Sequence, residues 1–209
     1  IIGTPPDTHV GLAITILLEN PPRVLLIEKP FCTPDFDRCE ELLKLAAERS
    51  THIVVGYNHL LTKNTLSATA LIMQGYIGTP LSMHVRWLEH WGGIFAAHPW
   101  LDGPSTSYLG YWKRGGGACA EHSHGINLWQ YFSKLLGAGR VTEVTASLDM
   151  VETVPVEYDR TTQVSLLTEN GLVGSVTQDV VTHPAEKMLR VQGEEGFLEW
   201  YANYNDSND

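Results

Sequence analysis

The apolar positions of this chain follow two rhythms, and the change between them divides it. Up to about residue 60, short apolar runs alternate with amphipathic stretches. Ile1-Ile2 reads as a strand ending at Gly3-Thr4-Pro5-Pro6. Asp7 is placed to cap a helix that runs to about Leu18 and that Asn20-Pro21-Pro22 stops. Residues 24–27 are apolar throughout, as in a parallel strand buried on both faces. Thr33-Pro34 reads as an N-cap followed by a first-turn proline. The helix after it would gather Phe36, Cys39, Leu42, Leu43, Ala46 and Ala47 on one side. Residues 52–57 read as another short buried strand. Strand, helix, strand, helix, strand implies right-handed crossovers and a doubly wound sheet.

Beyond residue 61 the rhythm shifts toward alternation. A helix over residues 62–74 ends at Gly75, and a strand follows over 81–89. Residues 90–114, rich in Gly, Pro and Trp, read as a long loop. One continuous helix is predicted over 118–136. Five strands come next, over 141–154, 162–168, 172–181, 188–192 and 197–200, with Asn170-Gly171 as a strong hairpin signal. Residues 203–209 are polar and expected to fray. The fold class is therefore α/β. A doubly wound part (residues 1–60) precedes an α+β part (61–209) with a mostly antiparallel sheet.

Charge narrows the function. The 209 residues carry a net charge of -10, with no basic surplus to neutralise phosphates. Nucleic acid and anionic membranes are excluded as partners on that ground. The longest apolar run, Val10 to Leu18, is too short to span a bilayer and follows Asp7 rather than a basic stretch. Three cysteines (Cys32, Cys39, Cys119) cannot all pair within one chain and read as reduced thiols of a cytoplasmic protein.

The chemistry concentrates in Gly115-Gly116-Gly117-Ala118-Cys119-Ala120-Glu121-His122-Ser123-His124-Gly125-Ile126-Asn127. On a helix, Glu121 and His124 share a face, with Asn127 one turn further. A carboxylate beside an imidazole suits proton transfer near neutral pH. His122-x-His124 also fits a metal reading, with Glu121, but helical geometry turns the two imidazoles about 200° apart. Glu28-Lys29-Pro30, Thr4-Pro5-Pro6 and Tyr57-Asn58 stand at three strand ends, where open α/β sheets bind ligands. On position alone, Glu28-Lys29 reads equally well as a surface ion pair before a turn. His84, His90 and His98, with Trp87, Trp91, Trp100 and Trp112, read either as core or as a wall on which a sugar stacks.

Taken in order, these segments resemble the Gfo/Idh/MocA family of nicotinamide-dependent oxidoreductases. The matches are Ile2-Gly3-Thr4-Pro5 with His9, Glu28-Lys29-Pro30, Gly56-Tyr57-Asn58, Gly75-Tyr76-Ile77-Gly78, His98-Pro99-Trp100, residues 115–127, and Asn170-Gly171 with Gly193-Glu194-Glu195-Gly196. The resemblance implies a partial Rossmann dinucleotide-binding domain (residues 1–60) followed by a substrate-binding and oligomerisation domain with an open sheet (61–209), in an NAD- or NADP-dependent enzyme acting on a sugar, sugar acid or cyclitol, with Lys29 and His124 carrying the chemistry. Glu121 stands where the family has an aspartate one turn before the histidine, and would orient His124. Thr4, Pro5, His9, Glu28, Lys29 and Asn58 fall on the cofactor side. The resemblance also implies a homodimer or homotetramer through the C-terminal sheet. Leu166, Val173, Val176, Val180, Leu189 and Val191 give that sheet more apolar surface than one helix layer is expected to cover.

One family feature is not found. No Gly-x-Gly-x-x-Gly turn, which would seat the pyrophosphate, occurs in residues 1–209. Because the chain opens in what reads as mid-strand, a fragment is expected, and by itself it should hold NAD(H) weakly. The alternative is a non-catalytic ligand-binding relative.

Overall fold

The computed structural model describes residues 1–202, and segment 203–209 lies outside them. Ile2 bridges in parallel to Ile27, the last residue of β1 (Val24–Ile27), and donates its N–H to Leu26 O at 2.8 Å. Between them runs α1 (Pro6–Glu19). Pro5, not Asp7, is its N-cap, and the Asp7 carboxylate instead accepts from Arg114 Nε at 2.6 Å. After α2 (Cys39–Glu48) the chain returns as β2 (His52–Val55), parallel to β1 with Val24 opposite His52.

Two expectations for this part need correction. The helix does not start at Thr33-Pro34. The Asp35 carboxylate accepts from the Thr33 hydroxyl at 2.6 Å and from Asp37 N at 3.2 Å, and Phe36 and Arg38 take positive φ. Such local side-chain bonds compete with helix formation, so α2 begins only at Cys39. Its buried face is Cys39, Leu42 and Ala46, while Phe36, Leu43 and Ala47 are exposed. Second, α1 and α2 both close on one face of the sheet, where Ile14, Leu17 and Leu42 cover Leu25 and Ile27. No described helix covers the other face, so Val24 is 58% exposed and Val54 46%. A four-residue apolar run does not reveal how many faces are covered.

The second unit is one six-stranded sheet. Its strands are β3 (Pro80–Leu88), β4 (Val141–Thr153), β5 (Val156–Thr168), β6 (Val173–Asp179), β7 (Glu186–Gly193) and β8 (Phe197–Tyr201). They lie in the order β4-β5-β6-β3-β7-β8, and only β3 and β6 run parallel. The turn at Asn170-Gly171 joins β5 to β6, with Gly171 at φ +84. Ahead of β3 lies α3 (Lys63–Met73), capped by the Thr62 hydroxyl on Thr65 N. The expected long loop contains a short helix, α4 (Gly92–Ala97), and three 3₁₀ turns. The continuous helix predicted over 118–136 is two helices, α5 (Gly117–Glu121) and α6 (His124–Leu135), broken at His122-Ser123.

One helix layer does cover the sheet. Leu128, Trp129 and Phe132 of α6 pack on Met83, Val85 and Val176, and α3 adds Ala68 and Ile72. Of the six residues expected to exceed that cover, Val176, Val180, Leu189 and Val191 are at most 1% exposed and Leu166 is half-buried, while Val173 is 54% exposed. The opposite face is polar, with His84 and Ser175 hydrogen-bonded across β3 and β6 at 2.8 Å and with Arg86 and Arg190. Further exposed apolar residues sit on the edge strand β4, at Val144, Leu148 and Met150.

The α2 register yields a direct test. Leu42→Ala should cost about 2–5 kcal/mol, as for a fully buried leucine. Leu43→Ala should stay within about 0.5 kcal/mol. Urea midpoints of the two variants measure the difference, and equal losses would contradict the assigned face.

Candidate active site

Lys29 leaves the C-terminal end of β1 and reaches across to α5. Its Nζ donates to Glu121 Oε1 at 2.9 Å and to Glu121 O at 2.6 Å. The two side chains are 15% and 13% exposed. The Tyr108 hydroxyl donates to Glu121 Oε2 at 2.8 Å. Burial, then the Glu121 charge, pushes the Tyr108 phenol well above its ordinary value, which keeps it a proton donor. Both Glu121 oxygens are thereby occupied. Contrary to expectation, Glu121 orients Lys29 and not His124. An ammonium has three N–H bonds, so two spent on Glu121 leave one for a ligand.

Helix α5 is short and is anchored from neighbouring strands. Asp159 of β5 accepts from Cys119 N at 2.7 Å and also from the Thr162 hydroxyl. Gln178 of β6, fully buried, donates to Ala118 O at 2.9 Å and Cys119 O at 3.1 Å. Gly117, at φ +83, lets this approach happen: a Cβ there would stand 1.9 Å from Asp159 Oδ1. The fixed α5 fixes Glu121, and through it Lys29.

His124 opens α6 and stands in an aromatic frame. Trp87 stacks on it at 5.3 Å, and Tyr57 and His59 meet it edge-on at 5.6 and 4.8 Å. Its Nδ1 is buried with no hydrogen-bond partner among the described residues. Burial first, then the Lys29 ammonium, pushes its pKa down to about 2. The imidazole is therefore unprotonated at neutral pH. His122, at the break, is 3% exposed, with Nε2 3.3 Å from Glu89 O. Among the described residues, no group of three or more His, Cys, Asp or Glu is placed to hold a metal.

A cleft of about 480 Å³ opens beside His124, lined by Leu26, Glu28, Val54, Tyr57 and Asn58. The Glu28 carboxylate lies across Gly56, where a Cβ would stand 2.8 Å from Glu28 Oε2. Thr4 and Pro5 are exposed at the neighbouring strand end, and the hydroxyls of Thr4 and Thr8 lie 2.6 Å apart. His9 has no atom left for a ligand. It is fully buried, with Nε2 2.7 Å from Thr4 O and Nδ1 3.0 Å from Pro30 O. It clamps the two strand ends instead. Of the aromatic wall, Trp87 and Trp91 are core, Trp112 donates to Glu157, and Trp100 is exposed.

Residues 65–199 match the family model described as the GFO/IDH/MocA C-terminal domain. Residues 1–57 match the one described as the oxidoreductase family, NAD-binding Rossmann fold. The chain belongs to the Gfo/Idh/MocA family. No curated protein matches it. Among solved structures it resembles GenD2 from gentamicin A biosynthesis, crystallised with NAD. The identity is 20% and the TM-score 0.79, over 98% of this chain and 54% of that one. It also resembles the WlbA dehydrogenase of Bordetella pertussis in complex with NADH and UDP-GlcNAcA, at 22% identity and TM-score 0.74, over 94% and 56%. An inositol dehydrogenase homolog of Azotobacter vinelandii with NAD+ gives 19% and 0.75, over 97% and 51%. The chain spans about half the length of these structures, and at such identities the likeness is one of fold.

Within this Gfo/Idh/MocA frame, sequence reasoning missed Tyr108, Asp159, Gln178 and His59. Tyr108 lies in the segment taken for a loop, and the other three act over long sequence separations without a local signal.

The buried imidazoles make stability depend on pH. His59 is pushed down to about 4, chiefly by burial, and His124 further. As pH falls below 6.5 the unfolded chain takes up protons these two rings refuse, so stability drops over that range toward about pH 4. His124→Phe should make the drop shallower by about one proton in denaturant midpoints measured across it. An unchanged slope would contradict the burial of a neutral ring.

Proposed function

We propose that this protein transfers hydride between a nicotinamide cofactor and a secondary alcohol or ketone of a sugar, sugar acid or cyclitol. The observation that carries this reading is the Lys29 ammonium, held by Glu121 with one N–H left over, near a neutral His124 at the ends of parallel strands. The cleft fits the nicotinamide end of a dinucleotide. Leu26 and Val54 offer an apolar floor, Glu28 and Asn58 offer partners for ribose hydroxyls, and Gly56 leaves the Glu28 carboxylate room. Thr4 and Pro5 border it.

When bound, NAD+ supplies the hydride acceptor. Lys29 donates its free N–H to the substrate oxygen and steadies charge that develops there. His124 accepts the hydroxyl proton as the C–H hydride leaves, and the O–H electron pair becomes the second C–O bond of the ketone. Reduction is the reverse, with His124 returning the proton. Glu121 and Tyr108 position Lys29. The carbohydrate class is supported by two structurally similar proteins, crystallised with UDP-GlcNAcA and with myo-inositol. The three free cysteines support a cytoplasmic setting.

The test uses the intact gene product with NAD+ or NADP+ and a panel of inositols, sugars and nucleotide-sugar acids. Lys29→Ala and His124→Ala should each lower kcat on the order of a hundredfold or more, with KM changing less. Glu121→Gln should be milder, since it keeps an acceptor for Lys29 while losing the charge. Full turnover in Lys29→Ala sinks the reading, and an absence of nicotinamide turnover across the panel favours a non-catalytic binding relative.

We also propose a homodimer or homotetramer assembled through the C-terminal sheet. The support is edge strand β4, whose Val144, Leu148 and Met150 are exposed to solvent. Light scattering at micromolar concentration should return a multiple of the chain mass, and a monomer would refute it.

A further inference from the structure

His59 is a buried ionisable group that the proposed reaction does not use. It lies in the 3₁₀ turn Asn58–Leu61 that follows β2. Its ring centroid is 4.8 Å from that of His124, with the planes 84° apart. It also meets Trp87 edge-on, at 4.8 Å and 75°. Trp87 itself stacks on His124 with only 27° between planes, and Tyr57 stands across His124 at 83°. The His124 imidazole thus has one parallel neighbour and two perpendicular ones.

This frame has a mechanical consequence. The last torsion of a histidine side chain is broad and roughly two-fold, so its own covalent geometry does not hold the ring in one orientation. A hydrogen bond to Nδ1 usually does so, but Nδ1 of His124 is buried without a partner. Shape is left to hold the ring. Trp87, 1% exposed, belongs to the core, and the Tyr57 hydroxyl is engaged with Ser123 Oγ at 3.3 Å. His59 is the remaining wall, and its own Nδ1 is also buried and unpartnered. Its nitrogens therefore contribute no bond to the frame that a carbon ring would lack.

We propose that His59 is a positioning residue, which walls the His124 imidazole on one side and holds it in the plane that presents it to the cleft. The proposal rests on the reading of His124 as the proton acceptor. The groups facing His59 are the ion pair of Lys187 and Glu89, 2.7 Å apart, together with Lys29 and His124. Burial and the Lys187 ammonium keep the His59 ring neutral at neutral pH, against the opposing pull of Glu89. The wall accordingly adds no charge beside His124. A misplacement of about 1 Å in a reacting group can cost on the order of a hundredfold in rate, so a wall with no contact to substrate still matters to turnover.

Two measurements test this. Nitrogen-15 labelling of histidine lets long-range proton–nitrogen spectra read the His124 ring directly, the signal being assigned by its loss in His124→Asn. At neutral pH the native protein and His59→Phe should each show one sharp His124 ring signal set. His59→Leu, which fills the volume without a planar wall, should show a broadened or averaged set, as should His59→Ala where it folds. In parallel, kcat and KM are measured on the intact gene product with NAD+ and whichever of myo-inositol and UDP-GlcNAcA it oxidises. His59→Leu should lose about tenfold or more in kcat with KM within about twofold, and His59→Phe should recover most of the loss. Native-like ring signals in His59→Leu overturn the proposal. So does an equal loss in His59→Phe and His59→Leu, which would assign the role to the nitrogen rather than the plane. Full turnover in His124→Asn overturns the acid–base reading instead, and the ring-signal arm still decides whether His59 holds the ring.

Discussion

The ion pair between Lys29 and Glu121 joins the two halves of the molecule, and much of the site follows from the need to keep it satisfied. Both side chains are mostly out of water. Withdrawing two charges from water costs free energy that their attraction recovers only with good geometry and extra hydrogen bonds. Those bonds are present, since the Glu121 carbonyl takes a second bond from Lys29 and Tyr108 takes the other carboxylate oxygen. Removing either partner would strand the other as an uncompensated buried charge. The pair also constrains the chain around it. Lys29 is fixed by the end of β1, so Glu121 must arrive from α5 in one place. A helix of only five residues cannot hold that place by its own hydrogen bonding. Asp159 and Gln178 do so from two adjacent strands, and Gly117 lacks the Cβ that would collide with Asp159.

How much of this could be read from the sequence depends on distance along the chain. Strands β1 and β2, helices α1 and α3, and the hairpin at Asn170-Gly171 carry local signals, and they form close to where those signals place them. Glu28 and Asn58 line the cleft, at strand ends where such sheets bind ligands, and the sequence places Lys29 and Thr4 at neighbouring strand ends. The start of α2 went astray because the Asp35 carboxylate captures backbone that a helix would need, in a turn whose positive φ at Phe36 has no strong sequence mark. The break between α5 and α6 was invisible for a different reason. Nothing in Glu121-His122-Ser123-His124 forbids a helix. Asp159 and Gln178 anchor α5. Gly125 lets α6 come close to Trp87 and Val176 from its own direction. These contacts span 30 or more residues, and no window of sequence contains them.

His9 illustrates the same limit from the other side. Its place in the motif suggested a ligand contact, and its position in the chain was read correctly. The structure turns the ring inward, onto Thr4 O and Pro30 O. Both carbonyls stand within hydrogen-bond distance of that ring, whose N–H can serve one of them at a time. A residue type compatible with binding is here used to fix the distance between the two loops that border the cleft.

The break also changes what Glu121 does to His124. In an unbroken helix the carboxylate would lie on the same face as the imidazole three residues on. A carboxylate beside a buried imidazole stabilises the charged form, because it offsets the desolvation of the imidazolium. Such a ring would be a stronger base and would hold a proton more tightly. With both Glu121 oxygens committed to Lys29 and Tyr108, His124 has only aromatic neighbours and a nearby ammonium. Burial and that ammonium push it toward the neutral form. One carboxylate therefore serves both groups. It balances the charge that Lys29 must carry, and by being occupied there it leaves His124 neutral. The cation stands ready to steady an alkoxide, and the neutral ring adds no second positive charge beside it.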